Sequence, residues 1–405
     1  MSTIRFIHAA DLHLDSPFKG MKGLPHKRLK ELRESTFKAF NNFIEHILHA
    51  KPDFVLIVGD IYDGEDRSLR AQMKFQEGMK KLNVAGIQVY LSYGNHDHLG
   101  GRWTRFELPP NVHVFSGDVE TIQTAFNGNA VHITGFSYSE RHIRNRMVQQ
   151  YPAASNSADF NIGMLHGSIE GNETHAVYAP FTKNDLLSKN YDYWALGHIH
   201  VRQNLHEDPP IVYSGNLQGR HRNEQGIKGF YEVELSKSSA ELKFIPASAL
   251  VFDTLLISCK GICHANEWIE RCVEGIDAFK AQYGSGIVEL VMVEIDREAS
   301  DLFDQSPDDE WLDVLREVVE DDALFVWIHS LSFTEDSSLS SITDGLSKSV
   351  LEQINNWTED EWKIILKDVY QHARGVRYLD VLKEHEIRTI KKGVARIMAT
   401  ETSEK

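Results

Sequence analysis

Along the first hundred residues the apolar positions change their period several times. Arg5–Ala10 and Asp53–Val58 are short, nearly continuous apolar runs that end at Asp11 and Gly59, as strands buried on both faces do. Between them, Leu29, Leu32, Phe37, Phe40, Ile44, Ile47 and Leu48 fall mostly on one face of a helix over 28–49. A second helix over 68–82 and a third strand, Ile87–Tyr90, ending at Gly94, continue the alternation. Strand, helix, strand, helix, strand at this spacing predicts an α/β sheet with crossover helices. Shorter strands follow at Val112–Phe115, Val131–Phe136, Asn161–Leu165, Tyr191–Ala195 and Ile211–Tyr213, and Gly229–Leu235 with Glu241–Ile245 forms a closing hairpin.

Past Ala249 the pattern differs. Phe252–Ser258 and Ile287–Ile295 are strands flanking a helix over Ala265–Tyr283. Residues 298–348, rich in Asp, Glu and Ser, predict short helices with exposed loops, and from Thr358 the chain turns helical to its end. Three regions follow: a domain over 1–250, an acidic α+β cap over 251–348, and a helical region over 349–405. A length of 405 residues, too long for one ordinary core, agrees with such a division.

Composition narrows the class. With 41% hydrophobic and 25% charged residues the chain is of the soluble globular kind. No apolar run reaches the length of a membrane span, and Met1–His8 lacks the pattern of a secretory signal. Three cysteines (Cys259, Cys263, Cys272) are too few for a disulfide framework and point to a reducing compartment, the cytoplasm. Cys259 and Cys263 have no second Cys/His pair at zinc-finger spacing, so the expectation is that they are packing residues. The formal charge of −16 is unevenly placed: residues 251–405 hold 16 Lys/Arg against 32 Asp/Glu, while 1–250 is neutral and carries 16 of the 20 histidines. Two such different stretches do different work.

Five short blocks carry the chemistry: Asp11-Leu-His13, Gly59-Asp60-Ile-Tyr-Asp63, Gly94-Asn95-His96-Asp97, His166-Gly167 and Gly197-His198-Ile-His200. Each sits just past a predicted strand, where open α/β sheets bind ligands. Carboxylate, imidazole and amide donors suit Mn²⁺, Fe²⁺ or Zn²⁺, and the lack of thiolates argues against a structural zinc site. In Asp-x-His and His-x-His the i and i+2 side chains leave an extended segment on one side and can reach one site. Gly before Asp60, Asn95 and His198 allows a sharp turn. Two metals about 3.5–4 Å apart can clamp a phosphate for in-line attack by water. Singly, each block is weak, since a histidine near a strand end is most often a packed, hydrogen-bonded residue. All five in order leave that bland explanation little room.

In this order the blocks resemble the signature of the calcineurin-like metallophosphoesterases. The opening Phe6-Ile-His-Ala-Ala-Asp-Leu-His13, the Gly59–Asp63 block and the C-terminal extension resemble the SbcD-type DNA-repair exonucleases, and Tyr213-Ser-Gly-Asn-Leu-Gln-Gly-Arg-His-Arg222 resembles their YhaO-like branch, with Ser214 where proline would be expected. The resemblance covers 1–250 well and 251–405 thinly. It implies a four-layer α/β sandwich of two mixed sheets flanked by helices, followed by a smaller cap domain and a helical tail. It implies that Asp11, His13 and His200 hold one metal, that Asn95, His166 and His198 hold another, and that Asp60 bridges the two. His96 would be the non-ligand histidine that assists the leaving oxygen, Asp97 would orient it, and Asp63 would steady the site from behind.

Other residues have two explanations each. Arg220, His221 and Arg222 either contact phosphate or belong to a solvated loop. His175 and Tyr178 either line the substrate groove or are ordinary loop residues. Lys22, His26, Lys27 and Arg28 form a basic loop that either touches a DNA backbone or is solvated surface. The segment Ile387–Met398 carries apolar residues at 387, 390, 394, 397 and 398 on one face, with Arg388, Lys391, Lys392 and Arg396 mostly elsewhere. It either packs within its own domain or, as the resemblance implies, docks on the coiled coil of an SMC-like ATPase. The expectation is a two-metal, Mn²⁺-dependent DNA exonuclease, homodimeric, working in a repair complex. Its rivals are a phosphoesterase for cyclic nucleotides or phosphomonoesters, favoured by the acidic balance, and a catalytically weak scaffold.

Overall fold

The computed structural model describes residues 2–18, 21, 24–64, 68–101, 106–170, 178–303, 306, 308–319 and 324–334, and then 349–350, 353–354, 356–365, 367, 387, 390–391 and 394. The chain forms two compact units, one of residues 1–253 with 285–287, the other of 254–284 with 288–405.

The first unit begins β1 (Thr3–Ala10), α1 (His26–Ala50), β2 (Phe54–Val58), α2 (Leu69–Val84), β3 (Gln88–Ser92) and β4 (Val112–Val114). It continues with β5 (Glu120–Phe126), β6 (Asn129–Gly135), β7 (Phe160–His166), α3 (Lys183–Leu187), β8 (Tyr193–Gly197), β9 (Gln203–Glu207), β10 (Pro210–Tyr213), β11 (Gly229–Ser236) and β12 (Ala240–Pro246). Two six-stranded mixed sheets result, ordered β12-β11-β1-β2-β3-β4 and β5-β6-β7-β8-β10-β9.

Side-chain alternation along the strands makes the layers. Phe54, Leu56 and Val58 of β2 meet Phe160, Ile162 and Met164 of β7 and Tyr193 and Ala195 of β8 in the core between the sheets. Val55 and Ile57 point the other way, into Phe37, Phe40 and Phe43 of α1 and Phe75 and Met79 of α2. Trp194 and Leu196 of β8 pack outward against Phe136, Tyr138, Tyr151, Tyr191 and Leu186 of α3. The order is helices, sheet, sheet, outer helical and loop layer: the four-layer sandwich. A polar residue sits in the central layer. His8 Nδ1 is 3.0 Å from the Tyr193 hydroxyl and Nε2 is 3.1 Å from the Leu196 carbonyl, so one neutral tautomer satisfies both. Burial pushes its pKa down to about 3, and it stays neutral.

In the second unit the described order is β13 (Val251–Ser258), α4 (Ala265–Tyr283), β14 (Gly286–Val293), α5 (Arg297–Phe303), α6 (Asp308–Val318) and β15 (Val326–Phe333), with the three strands in one sheet ordered β13-β14-β15. A helix over Glu359–Ile365 follows.

Three strands depart from the sequence expectation. β5 and β9 are the two edges of their sheet, and their polar residues (Gln123 and Thr124, Gln203 and Asn204) follow from burying little. β15 lies in the stretch expected to hold only helices and loops. Its Val326 and Ile328 are buried at strand spacing, a local signal outweighed by the acidic residues around it. The expected docking face over 387–398 lies largely outside the described residues.

Candidate metal centre

β1, β2 and β3 run parallel in one sheet and β7 and β8 in the other, and His166 at the end of β7 meets the Val58 carbonyl at the end of β2, so the carboxyl ends of both sets lie at one edge of the sandwich. All five blocks leave from there. Main-chain bonds lock the loops: Asp11 N–H donates to Gly59 O at 3.1 Å, His13 N–H to Asp60 O at 3.0 Å, and Gly167 N–H to Gly197 O at 3.1 Å. Asp11, His13, Asp60 and His198 have φ of 53°, 42°, 51° and 97°. Left-handed backbone costs an L residue about 1–2 kcal/mol. Four such residues at one edge is strain of the kind held at functional sites.

Among the described residues, Asp11, His13 and His200 bring ligand atoms within 4.8 Å of one another, and so do Asp60, His166 and His198. His13 Nε2 faces His200 Nε2 at 3.0 Å. Asp60 Oδ2 lies between the groups, 3.7 Å from His13 Nε2 and 3.5 Å from His166 Nε2. Asn95 Oδ1 adds to the second group, 3.1 Å from His166 Nε2 and 3.2 Å from His198 Nδ1. His166 Nδ1 lies 3.1 Å from the Val58 carbonyl, which leaves Nε2 to face the carboxylate and amide oxygens.

Gly59 turns with φ of 78°, and a Cβ there would lie 2.2 Å from His166 Nδ1. Gly94 needs no left-handed backbone. It is glycine because a Cβ would lie 2.3 Å from Asp60 Oδ1 and 2.7 Å from His166 Nε2. Of the three glycines expected to allow sharp turns, only Gly59 has left-handed backbone; close approach accounts for all three, Gly197 included, where a Cβ would lie 2.0 Å from Val58 O.

The electrostatics fit cations. Burial raises the pKa of Asp11 and lowers that of His13 well below its usual value. Burial also opposes charge on Asp60 and His166. Even so, the His166 and His13 imidazoles hold Asp60 well below the carboxylate range, and Asp60 and Asp11 lift His166 to about 9. A proton on His166 thus neutralises buried carboxylate, and a metal ion would take its place. Lone-pair atoms converge, with imidazole, carboxylate and amide but no thiolate. The residues present fit a pair of divalent cations.

Around the donors, His96 is partly exposed. Its main-chain N–H donates to Asp60 Oδ1 at 2.9 Å, and its ring Nδ1 lies 3.8 Å from Asp63 Oδ1. Asp97 was expected to orient His96; its two oxygens accept the N–H groups of Ile61 at 2.6 Å and Gly94 at 2.7 Å, which ties two ligand loops together. Asp63 accepts from Ser16 Oγ at 2.8 Å and from Arg220 Nη1 at 3.0 Å, and stands 3.7 Å from His13 Nδ1.

Sequence reasoning missed Glu224. This buried carboxylate accepts from His200 Nδ1 at 2.7 Å, from Asn216 Nδ2 at 2.8 Å and from Arg220 N–H at 2.7 Å. Burial works against its charge, yet His200 and Arg220 hold its pKa at about 2. The available signal was the lone acid within the run Arg220–Gln225. Of the candidates in that loop, Arg220 reaches the site, exposed His221 stands 3.1 Å from Glu224, and Arg222 is exposed. The Tyr178 ring lies against His198 at 4.9 Å. His175 and Lys22 lie outside the described residues.

Residues 4–202 match the calcineurin-like phosphoesterase family. Over 401 residues, 96% of each chain, the sequence is 35% identical to the uncharacterized metallophosphoesterase YhaO of Bacillus subtilis. It is 28% identical over 258 residues to the DNA double-strand break repair protein Mre11 of Methanocaldococcus jannaschii, covering 59% of this chain and 65% of that one. The Thermoplasma acidophilum Mre11 is also 28% identical, over 259 residues, 59% of this chain and 64% of that one.

Proposed function

This chain belongs to the calcineurin-like phosphoesterase family, whose members use a dinuclear metal site, and we propose that it hydrolyses the phosphodiesters of DNA as an exonuclease in a repair complex. The observation that carries hydrolysis is the pair of donor groups sharing Asp60, with partly exposed His96 beside them. The similarity to two DNA double-strand break repair proteins supports DNA as the substrate.

Asp11, His13 and His200 would hold one ion, and Asn95, His166 and His198 the other, with Asp60 between. Mn²⁺ suits this donor set best, with Fe²⁺ and Zn²⁺ as neighbours in preference. When bound, such a pair supplies positive charge for the phosphate and acidifies a water. The chain's own residues do the rest. His96, whose main-chain N–H is bound to Asp60, gives a proton from its imidazole to the departing sugar oxygen. Asp63, fixed by Arg220 and Ser16, keeps the His96 and His13 rings in place. Glu224 holds the His200 proton on Nδ1 and so aims Nε2 inward. A second copy of the chain and an SMC-like ATPase bound by the C-terminal helices complete the proposed assembly. No described helix is long and apolar enough to cross a membrane.

The test incubates the purified chain with Mn²⁺ and end-labelled DNA, beside a cyclic nucleotide and a p-nitrophenyl ester. Progressive shortening of DNA, abolished by EDTA and restored better by Mn²⁺ than by Mg²⁺, is the expected result. Intact DNA with hydrolysed small esters would move the substrate to the small-molecule class. No hydrolysis at all, with metal bound, would leave the scaffold.

A further inference from the structure

Beside His198 the protein carries an aromatic ledge that the five blocks do not account for. The His142 ring lies nearly flat on the Tyr178 ring, centroids 5.3 Å apart and planes at 23°. Tyr178 in turn meets the His198 ring at 4.9 Å. Three rings thus lead from the second donor group out to solvent, where His142 is exposed. Main-chain bonds set the stack. Ile143 is buried, and its carbonyl accepts the Ala179 N–H at 2.6 Å. Tyr178 N–H donates to Ser168 Oγ at 3.1 Å, and its carbonyl accepts the Ser168 N–H at 2.9 Å. Either side of the Ile143 anchor, His142 and Arg144 are both exposed. Arg146, further on, is taken up by Asp185 at 3.0 Å and by Glu170.

A flat exposed ring two contacts from a phosphoester-cleaving centre, with a guanidinium close by in the chain, matches what a nucleotide offers: a π face and a phosphate. Bases stack on such rings whatever their identity, and guanidinium groups favour phosphate. We propose that the free face of His142, backed by Tyr178, seats the base of the nucleotide next to the scissile phosphate, with Arg144 serving an adjoining phosphate. This rests on the DNA reading above and narrows it. A base inside a duplex has both faces covered by its neighbours, so the ledge takes an unpaired or terminal base. The substrate class is therefore a base-bearing single strand or strand end rather than continuous duplex.

The test uses the full chain with Mn²⁺ and a set of single-stranded oligonucleotides in which one abasic position is walked past the cleaved bond. Wild-type protein should show KM raised about 10- to 100-fold when the abasic position adjoins that bond, the range expected for one lost stack. His142→Ala should show the raised KM on ordinary DNA already, with no further rise on the abasic strand. His142→Phe, which keeps a flat ring, should restore the wild-type pattern. An undiminished abasic penalty in His142→Ala overturns the ledge, as does a wild-type enzyme that cleaves DNA without any abasic penalty. If wild-type protein cleaves no DNA of any form, the DNA reading fails and the ledge falls with it.

Discussion

The carboxylates of both donor groups accept main-chain N–H groups, but their histidines are held in different ways. His13 and His200, in the first, are steadied by side chains: Glu224 on His200 Nδ1, and Asp63, itself held by Arg220, beside His13. His166 and Asp60, in the second, lean on main chain and glycine. Val58 O lies against His166 Nδ1, His96 N–H serves Asp60, and Gly59 and Gly94 leave room for both. Main chain set by a β-sheet is rigid and offers little to adjust. Side-chain supports can be removed singly. The first group should therefore be the more easily weakened, and the second the more dependent on backbone space.

Asp60 lies between the groups, and its loss should erase the distinction. Asp60→Ala should take bound metal from both and reduce hydrolysis to background, read by elemental analysis beside an activity assay. Retention of a full metal complement would show that Asp60 does not bridge.

His96 stands outside both groups. Its replacement by alanine should leave metal content unchanged while kcat falls about 10²- to 10⁴-fold, the usual range for a proton-transfer group. Loss of an ion in crystals of this variant would make His96 a ligand and redraw the second group.

Glu224→Gln sharpens the contrast. It keeps shape but removes the charge behind His200, and should weaken one ion of the two by about 10- to 100-fold. Calorimetric titration with Mn²⁺ should show one class of site shifted and the other unmoved. Equal weakening of both would mean the supports are not separate.

A graded effect is in pH, smallest near pH 9 and growing below it. In metal-free protein His166, lifted to about 9, carries a proton that binding must expel. Affinity at the second group should fall about tenfold per unit as pH drops below 9 and level off above it. His13, lowered well below its usual value, releases no such proton near neutrality. Proton release measured in buffers of different ionisation enthalpy should track the second group. The same shift gives the metal-free fold a sign. The charged His166 adds stability that is complete below pH 6.5 and lost as pH rises through about 9.

This contrast also explains what the sequence displays. Apolar runs such as Phe54–Val58 predict their strands because both faces are buried, and α4 over Ala265–Tyr283 has the bounds its pattern predicts. The glycines of the second group are visible as motif letters because backbone space admits few substitutes. Glu224 is not visible, since a carboxylate in a loop looks like any solvated acid until the fold brings it to His200. Edge strands β5 and β9 stay hidden for a related reason: half their surroundings are water, so their pattern is polar. His142 is silent as well, its place on Tyr178 being set by a main-chain bond between Ile143 and Ala179.

Most directly testable is the stoichiometry. Chelator-stripped protein titrated with Mn²⁺, with bound metal and DNA hydrolysis followed together, should take up two ions per chain and gain activity only as the second site fills. Full activity with one ion bound, or in excess chelator with metal loss verified, would contradict a two-metal centre built on Asp60.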